Sequence, residues 1–525
     1  MMLSVLFILL LHQVVCDVVM TNRGPVKGQK GDDGSFRYLG IPYALVDEKH
    51  PFGKSLDHPK FETVFNAAVS SIMCPQVRGI EGGVLQCLRL NIFVPKIASV
   101  DRPVPVLVWF HGGGFITGSG GEYDGKYLIQ HGIIVVTINY RLGPYGFFCL
   151  KDPEVPGNQG LKDQVTALRW VKENIRRFGG NPDEVTIAGQ SYGGGAVDLH
   201  LYSKNERLFS KAIIQSGSAE VPGMYVKPDY HAAIKLINHL GYNTTSTKDA
   251  LKHLAAVDPI ALMKAADDIK FQPRVCKEKR SVGTQHFIID DPFHLYNSEI
   301  IKDTPILIGY NSKEDFSNFV NKSNKFYSNL DTIFYDKLKS NFNIEEDELK
   351  TLAKVIHTFY MGSKKFSKTS MLELADFSSD FILNHAAERS VNRFMNQKAL
   401  KVYKYIFSYI GGSVFKDVPG VGAYHTEELP YLFDRKTMFN EEQKLIRDRM
   451  TKMWANFVKN GNPTPKVTKL LPVHWSPVNE SRPYMNIDVN MEMRNYVYRE
   501  RMALWDLFWH NYWKVAIVTD KRRKL

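Results

Sequence analysis

The hydrophobic positions of this chain form short continuous runs separated by segments with helical spacing. Six runs rich in Val, Ile and aromatic residues predict β-strands at residues 103–110, 132–140, 184–189, 211–217, 304–310 and 401–410. Runs that are apolar at consecutive positions are typical of strands buried on both faces of a parallel sheet. Residues 160–180 instead repeat apolar residues at helical spacing and end in two glycines, which is a helix C-cap signal.

Strands that alternate with helices predict an α/β fold, in which helices flank a central and mostly parallel sheet. Residues 225–300 and 325–395 are largely helical and polar, and we interpret them as helical insertions beside the sheet. Because no Pro/Gly/Ser-rich linker or internal repeat delimits them, we expect residues 17–525 to form a single domain. The aromatic segment 503–518 predicts a C-terminal helix that is packed or faces a partner.

Residues 1–16 have the features of a secretory signal peptide. An apolar run at residues 3–11 is followed by small residues, and cleavage is expected after Cys16. The segment before the run contains no Lys or Arg, which departs from the usual pattern. The run is far shorter than the ~20 apolar residues that cross a bilayer, and no later segment is long enough. The sequence therefore predicts a secreted, extracellular protein without a membrane span.

Glycosylation sequons and cysteines fit an exported protein. Sequons stand at Asn243, Asn321 and Asn479, each a candidate surface acceptor. Without Cys16, four cysteines remain, which allow three disulfide connectivities. They are Cys74, Cys87, Cys149 and Cys276. The first two are near enough in sequence to close a short loop, and whether the other two pair stays open.

Composition limits the classes of partner. The chain has 525 residues, of which 44% are hydrophobic and 12% aromatic, so it can bury a large core. Its net charge of +12 is spread along the chain, and the one dense basic cluster is at residues 521–525. We interpret this excess as a solvated surface rather than a surface that steers anionic partners. No motif predicts nucleic-acid binding, and no Cys/His spacing predicts a metal site.

Ser191 occupies a G-x-S-x-G motif between Gly189 and Gly193. The motif follows the predicted strand 184–189 and opens a helical segment, which is the context of a nucleophile elbow. Glycines are needed on either side because a strand that turns sharply into a helix leaves no room for side chains. The elbow would expose the serine hydroxyl at a helix N-terminus, where backbone N–H groups favour a developing negative charge.

The partners that a serine nucleophile needs occur in the chain order of an α/β-hydrolase. The glycine-rich segment 111–115 follows a predicted strand, where this fold carries its oxyanion loop. Glu314 follows the strand 304–310, and His425 lies in a loop after the strand 401–410. Either residue alone would be interpreted as a solvated loop residue. The order serine, carboxylate, histidine makes Glu314 and His425 candidate partners of Ser191.

Seven ordered motifs along almost the whole chain carry a family resemblance. They are GIPYA (40–44), CLRLNIFVP (87–95), HGGGF (111–115), GLKDQVTALRWVKENIRRFGGNPDEVTIAGQS (160–191), AIIQSGS (212–218), GYNSKE (309–314) and HTEELPYLF (425–433). The chain resembles the type-B carboxylesterase family, which includes cholinesterases and insect secreted esterases. The resemblance implies an α/β-hydrolase fold and a catalyst of ester hydrolysis that needs no cofactor.

The resemblance also implies residue roles. Ser191 would be the nucleophile, His425 the general base and acid, and Glu314 the orienting carboxylate. The oxyanion donors would be the backbone N–H groups of Gly113, Gly114 and Tyr192. Ser216 would support the triad carboxylate, and Cys74 would pair with Cys87.

Four features depart from the family pattern. Tyr192 stands where Ala is common, and its phenol could narrow or reshape the pocket. Gln86 replaces a usual acidic residue, and Asp315 stands where Gly is common. The segment 75–86 contains no Trp, whereas cholinesterases use a Trp in the matching loop to bind a quaternary ammonium. A choline ester is therefore not expected as the preferred substrate.

Three function classes follow from these features. The first is a secreted serine esterase for small or lipophilic esters, whether hormone, odorant, dietary or xenobiotic. Juvenile hormone esterases also carry Gln before the nucleophile, as Gln190 does here, so that activity is an alternative. The second and third are an adhesion protein on the same fold and an ester-binding carrier with slow turnover. The intact serine and the absence of a predicted span argue against adhesion, and the sequence leaves the oligomeric state open.

Overall fold

A central β-sheet organises the part of the chain that the computed structural model describes, which is residues 17–516 without 204, 281–282, 284, 290–297 and 436–438. The predicted signal peptide lies outside the described residues. The strands are β1 (Val18–Thr21), β2 (Gly24–Lys27), β3 (Gln29–Lys30), β4 (Phe36–Pro42), β5 (Phe65–Asn66), β6 (Arg89–Val94), β7 (Val104–Phe110), β8 (Ile134–Ile138), β9 (Gly180–Gln190), β10 (Lys211–Gln215), β11 (Pro305–Asn311), β12 (Lys401–Phe407), β13 (Pro483–Ile487) and β14 (Glu492–Asn495).

Eleven of these strands form the central sheet, in the order β14-β13-β12-β11-β10-β9-β7-β8-β6-β4-β3. The seven strands from β13 to β8 are parallel, and antiparallel pairs occur towards the two edges. The other three strands, β1, β2 and β5, form a small separate sheet. The predicted α/β fold with a mostly parallel sheet is confirmed, and all six predicted strands are present.

Both faces of the sheet are covered, which explains the continuous apolar runs. Phe110 and Ile187 belong to one buried cluster, whereas Trp109 and Ala188 belong to the cluster on the opposite face. Successive residues of a strand point to opposite faces, so every position of a central strand enters a core. Strand β8, for example, is buried at all five positions.

The helices are α1 (Lys126–Ile129), α2 (Gly143–Phe147), α3 (Gln159–Asn174), α4 (Tyr192–His200), α5 (Ala232–His239), α6 (Thr247–Leu254), α7 (Pro259–Asp268), α8 (Glu299–Lys302), α9 (Asn324–Ser328), α10 (Ile333–Asn341), α11 (Glu346–Met361), α12 (Met371–Ser379), α13 (His385–Asn396), α14 (Glu441–Asn460) and α15 (Arg499–Tyr512). The predicted helix 160–180 ends earlier than expected, at Asn174. A 3₁₀ turn follows, and Gly179 at φ 80° closes it before Gly180 starts β9.

Helices are present in the two polar segments, 225–300 and 325–395, that were predicted to be helical insertions. Helices α5, α6 and α7 share a small core with α2, and α9 to α12 share an aromatic core with α15. The C-terminal helix is packed on its inner face, where Trp505 and Phe508 are buried, while Leu507 is exposed. Among the described residues, no helix combines the length and apolar character that a bilayer crossing requires.

Both cysteine pairs form disulfides. Cys74 pairs with Cys87, as the family resemblance implies, and Cys149 pairs with Cys276, which the sequence left open. The second bond joins residues 127 positions apart and fastens the segment after α7 to the segment after α2. The three sequon asparagines, Asn243, Asn321 and Asn479, are all exposed.

Candidate active site

The predicted site residues converge at the carboxyl ends of adjacent parallel strands. Ser191 directly follows β9, Ser216 follows β10, and Glu314 lies three residues after β11. His425 comes from the long loop after β12, and its backbone N–H donates to the carbonyl oxygen of Glu314 at 2.9 Å. The segment 111–115 follows β7. In open α/β sheets this edge is the usual place for ligands.

The candidate nucleophile lies on a strained turn. Ser191 has φ 57° and ψ −128°, a conformation that costs a residue other than glycine about 1–3 kcal/mol. A Cβ on Gly193 would lie 2.1 Å from the Phe110 carbonyl oxygen, and a Cβ on Gly189 would lie 2.5 Å from the backbone of Gly193. The two glycines are therefore required by close backbone packing, as the motif predicts for an elbow.

The glycine-rich loop lies against this elbow. Gly113 and Gly114 have positive φ, at 99° and 67°. Within the described part of the chain, neither N–H donates to a protein acceptor. Tyr192 begins α4, and the first N–H groups of a helix also lack intrahelical acceptors. The backbone thus offers N–H groups from the loop and from the helix at one end of the sheet, and their role as oxyanion donors stays a prediction.

The histidine and the carboxylate form a tight pair. His425 Nδ1 lies 2.6 Å from Glu314 Oε2, and the Glu314 side chain is 3% exposed against 32% for His425. The second carboxylate oxygen, Oε1, accepts from Ser216 Oγ and from the backbone N–H of Asn311, both at 2.6 Å. Ser216 therefore contacts the carboxylate as the resemblance implies. These bonds hold the ring through Nδ1, so Nε2 is not used by the carboxylate.

Charges around the imidazole set its proton affinity. Burial alone would lower the pKa of His425, but the negative charge and hydrogen bond of Glu314 outweigh it, so the pKa lies above its ordinary value. A further carboxylate, Glu428, is fully buried and accepts from Asn311 Nδ2 and Gln215 Nε2. Burial raises the pKa of Glu428, and the charge of Glu314 raises it further. Sequence reasoning missed Glu428, although it lies inside the motif that begins at His425.

Gln190 is a second residue that the sequence did not assign to the site. Its side-chain Nε2 lies 3.1 Å from His425 Nε2. The amide is therefore hydrogen-bonded to the ring nitrogen that a general base would use to accept the proton of Ser191. Gln190 is 2% exposed, since it ends the buried strand β9. Catalytic hydrogen bonds are often loose in ligand-free structures, and Ser191 would have to replace this contact during attack.

A cavity of about 450 Å³ opens onto these residues, a volume within the usual range for small-molecule sites. Ser191, His425 and Glu314 all line it. Its lining includes apolar side chains, Val221, Met224, Ile382 and Leu383. It also includes the polar residues Asp315, Ser317, Asn318 and Ser379. The cavity therefore offers an ester both apolar and polar contacts.

Tyr192 lies between this cavity and the protein interior. The residue lines the cavity, and its half-buried ring meets Phe115 edge-to-face at 5.0 Å between centroids. The Arg274 guanidinium carbon stands 5.2 Å from the centre of the same ring. The phenol is therefore held from two sides while part of the residue reaches the cavity.

The described residues contain no group of three or more His, Cys, Asp or Glu side chains arranged to hold a metal ion. What the site contains instead is a serine on an elbow, an imidazole paired with a buried carboxylate, and unoccupied backbone donors. On a mostly parallel sheet, this arrangement defines a protein of the α/β-hydrolase class.

Residues 15–505 match the model of the carboxylesterase family, and the chain belongs to that family. It is accordingly a carboxylic ester hydrolase. Similar proteins include the pyrethroid hydrolase Ces2e of Rattus norvegicus, 32% identical over 92% of this chain and 88% of that protein. Esterase FE4 of Myzus persicae is 31% identical over 85% and 83% of the two chains. A juvenile hormone esterase of Heliothis virescens is 31% identical over 86% and 85%.

The raised pKa of His425 predicts the pH dependence of activity. As the predicted base, the imidazole would have to be neutral to accept a proton from Ser191, so kcat/KM should rise with pH through an apparent pKa above ~6.5. Replacing Glu314 by Gln removes the charge that raises this pKa, so the profile should move to lower pH. The same change should lower kcat by about 10⁴-fold, as loss of a triad carboxylate does elsewhere. Steady-state kinetics from acid to alkaline pH measure both effects.

A Glu314→Gln enzyme that keeps a near-normal rate and an unshifted profile would contradict this assignment and point to Asp315 as the orienting group. Circular dichroism serves as the folding control, because Glu314 also accepts hydrogen bonds from Ser216 and Asn311.

Tyr192 allows a separate test of selectivity. Tyr192→Ala keeps the backbone N–H but removes a ring beside the cavity, so bulky esters should gain relative to acetates. Tyr192→Phe keeps the ring and should leave the ratio unchanged. The measurement is kcat/KM for a series of acyl chain lengths. An equal loss for all esters would argue that the phenol supports the elbow. Altered thermal stability with unchanged selectivity would mean that the ring only packs.

Proposed function

We propose that this chain is a secreted serine esterase that hydrolyses small or lipophilic esters through an acyl-enzyme, with Ser191 as the nucleophile. The observation that carries the proposal is the cavity shared by Ser191 and an imidazole whose other nitrogen lies 2.6 Å from a buried carboxylate. A serine needs a positioned base to attack an ester, and a neutral imidazole held by a carboxylate is such a base.

In the proposed reaction His425 removes the Ser191 proton as the hydroxyl attacks the ester carbonyl. The N–H groups of Gly113, Gly114 and Tyr192 stabilise the developing negative charge as hydrogen-bond donors. The resulting imidazolium is stabilised by Glu314 and protonates the leaving alcohol. Water then enters, His425 acts again as base, and the acid product leaves Ser191. Each step uses groups of this chain and needs no cofactor.

The residues that line the cavity indicate the class of ester that the site would accept. Apolar residues of the cavity lining, which include Met224 and Leu383, support lipophilic esters of hormone, odorant, dietary or xenobiotic origin. Juvenile hormone ester hydrolysis is the alternative, because Gln190 precedes the nucleophile as in those enzymes and a juvenile hormone esterase is among the relatives. A non-catalytic ester-binding or adhesion role is a different class, and the paired His425 and Glu314 argue against it.

Export is part of the proposal. The apolar N-terminal run supports a signal peptide cleaved after Cys16, which leaves residues 17–525 as one catalytic domain. Two disulfides are typical of an oxidising compartment. Exposed sequons at Asn243, Asn321 and Asn479 support glycosylation.

The decisive variant is Ser191→Ala. Its kcat towards 4-nitrophenyl esters should fall by about 10⁶-fold, because alanine leaves the elbow without a nucleophile. An organophosphate should label Ser191 of the wild-type protein, as peptide mass spectrometry would show. The matched control is Ser218, a buried serine that follows the neighbouring strand β10.

Ser218→Ala should still react with the organophosphate at Ser191. Substantial esterase activity in a folded Ser191→Ala protein would refute the nucleophile. Stoichiometric binding of esters by the wild-type protein without turnover would favour the ester-binding class instead.

A further inference from the structure

The lining of the cavity contains a carboxylate that the proposed reaction does not use. Asp315 directly follows Glu314 in sequence and is half-buried beside Ser317, Asn318 and Ser379. Each of its carboxylate oxygens accepts a bond from a neutral donor: Oδ1 from Asn318 Nδ2 at 2.5 Å, and Oδ2 from Ser378 Oγ. A carboxylate oxygen has two lone-pair sites, so these bonds do not exhaust its capacity to accept.

Among the residues that the structure describes, the charge of Asp315 acts on His425, whose protonated form it favours. Asp315 forms no ion pair with a described lysine or arginine, and the cavity lining contains neither residue type. Lys313 is paired with Asp376 at 2.6 Å, and Arg274 packs on the ring of Tyr192. The cavity lining therefore contains one carboxylate that is not paired with a described lysine or arginine.

The position of Asp315 indicates which part of a bound ester its charge would face. An ester has an acyl arm and an alcohol arm, one on each side of the ester bond. His425 must protonate the leaving alcohol, so the alcohol arm of a bound ester passes this residue. Asp315 is near His425, because both residues line the cavity and the charge of Asp315 raises the pKa of the imidazole. The acyl arm would then be left to the apolar residues of the lining, which include Met224 and Leu383.

We propose that Asp315 forms a subsite for a protonated amine on the alcohol arm of the ester. The inference rests on the proposed function and adds a substrate class to it. An ammonium N–H can donate to a carboxylate in a charge-assisted hydrogen bond, which is stronger than a neutral one. A quaternary ammonium has no N–H and is typically bound by aromatic faces, so this subsite differs from a choline site.

The test compares two esters of matched shape. The first is 2-(dimethylamino)ethyl butyrate, which is protonated at neutral pH, and the second is its neutral isostere 3-methylbutyl butyrate. The wild-type enzyme should have a higher kcat/KM for the cationic ester. Asp315→Asn and Asp315→Gly should lower the ratio of the two values about tenfold, equivalent to about 1.4 kcal/mol. The ratio at fixed pH removes any effect of these variants on His425 that both esters share.

The control variant is Asp347→Asn, which makes the same change in net charge. Asp347 is fully exposed on α11 and should leave the ratio unchanged. If neither Asp315 variant folds, the salt dependence of the wild-type enzyme tests the subsite. Added salt should lower the ratio of the two kcat/KM values, because salt screens an ion pair and not an apolar contact.

Binding to Ser191→Ala protein separates this inference from the proposed function. The inactive protein should bind the cationic ester more tightly than its isostere even though it turns over neither. Equal affinities, or a ratio that Asp315→Asn does not change, would overturn the subsite. An ester with a trimethylammonium group gives a further check, because that group cannot donate a hydrogen bond. The subsite would be overturned if this ester had the same advantage over the isostere and lost it equally in Asp315→Asn. Failure of the wild-type enzyme to hydrolyse either ester would instead count against the proposed function.

Discussion

The charge of Glu314, held almost out of contact with water, is the constraint on which the rest of the site depends. A buried carboxylate loses several kcal/mol of hydration unless close donors replace it. Three do so here, Ser216 Oγ, the Asn311 N–H and the His425 ring, each at 2.6 Å. These donors come from the ends of β10 and β11 and from the loop after β12. Because one oxygen is used by the two fixed donors, the other is left to orient the imidazole.

The sheet edge also holds backbone conformations that an isolated segment would avoid. Ser191, Ser216 and Thr426 all have positive φ, at 57°, 44° and 75°. Such conformations persist only where the surrounding structure determines them. The Ser191 N–H donates to the Gln215 carbonyl at 2.9 Å, and the Ser216 N–H donates to that of Gly309 at 2.8 Å. The parallel ladder thus continues one residue past the strands and fixes the strained turns.

The sequence predicted the central strands and the proposed triad because both leave local signals. Residues buried on both faces give continuous apolar runs, and the triad follows a known chain order. Strand β6 was not predicted, because Arg89 and Asn91 interrupt its run, yet Asn91 is buried and bonded to Thr137 and Gly40. Gln190 and His425 are 235 residues apart, so their contact is visible only in the fold. The second disulfide was open for the same reason.

The imidazole of His425 stands in the field of several carboxylates, and this couples binding to chemistry. Glu314, Glu428 and Asp315 all favour its protonated form, with Glu314 dominant. At low pH these charges keep the imidazole protonated before the reaction begins, so less of it can act as a base. In the transition state of the proposed reaction, the same charges stabilise the imidazolium. An ammonium group placed on Asp315 would cancel part of this field. A cationic substrate would therefore lower the pKa of His425, the proposed base, when it binds. More of the imidazole would then be neutral. Glu314 would still stabilise the imidazolium, because its carboxylate remains hydrogen-bonded to the ring.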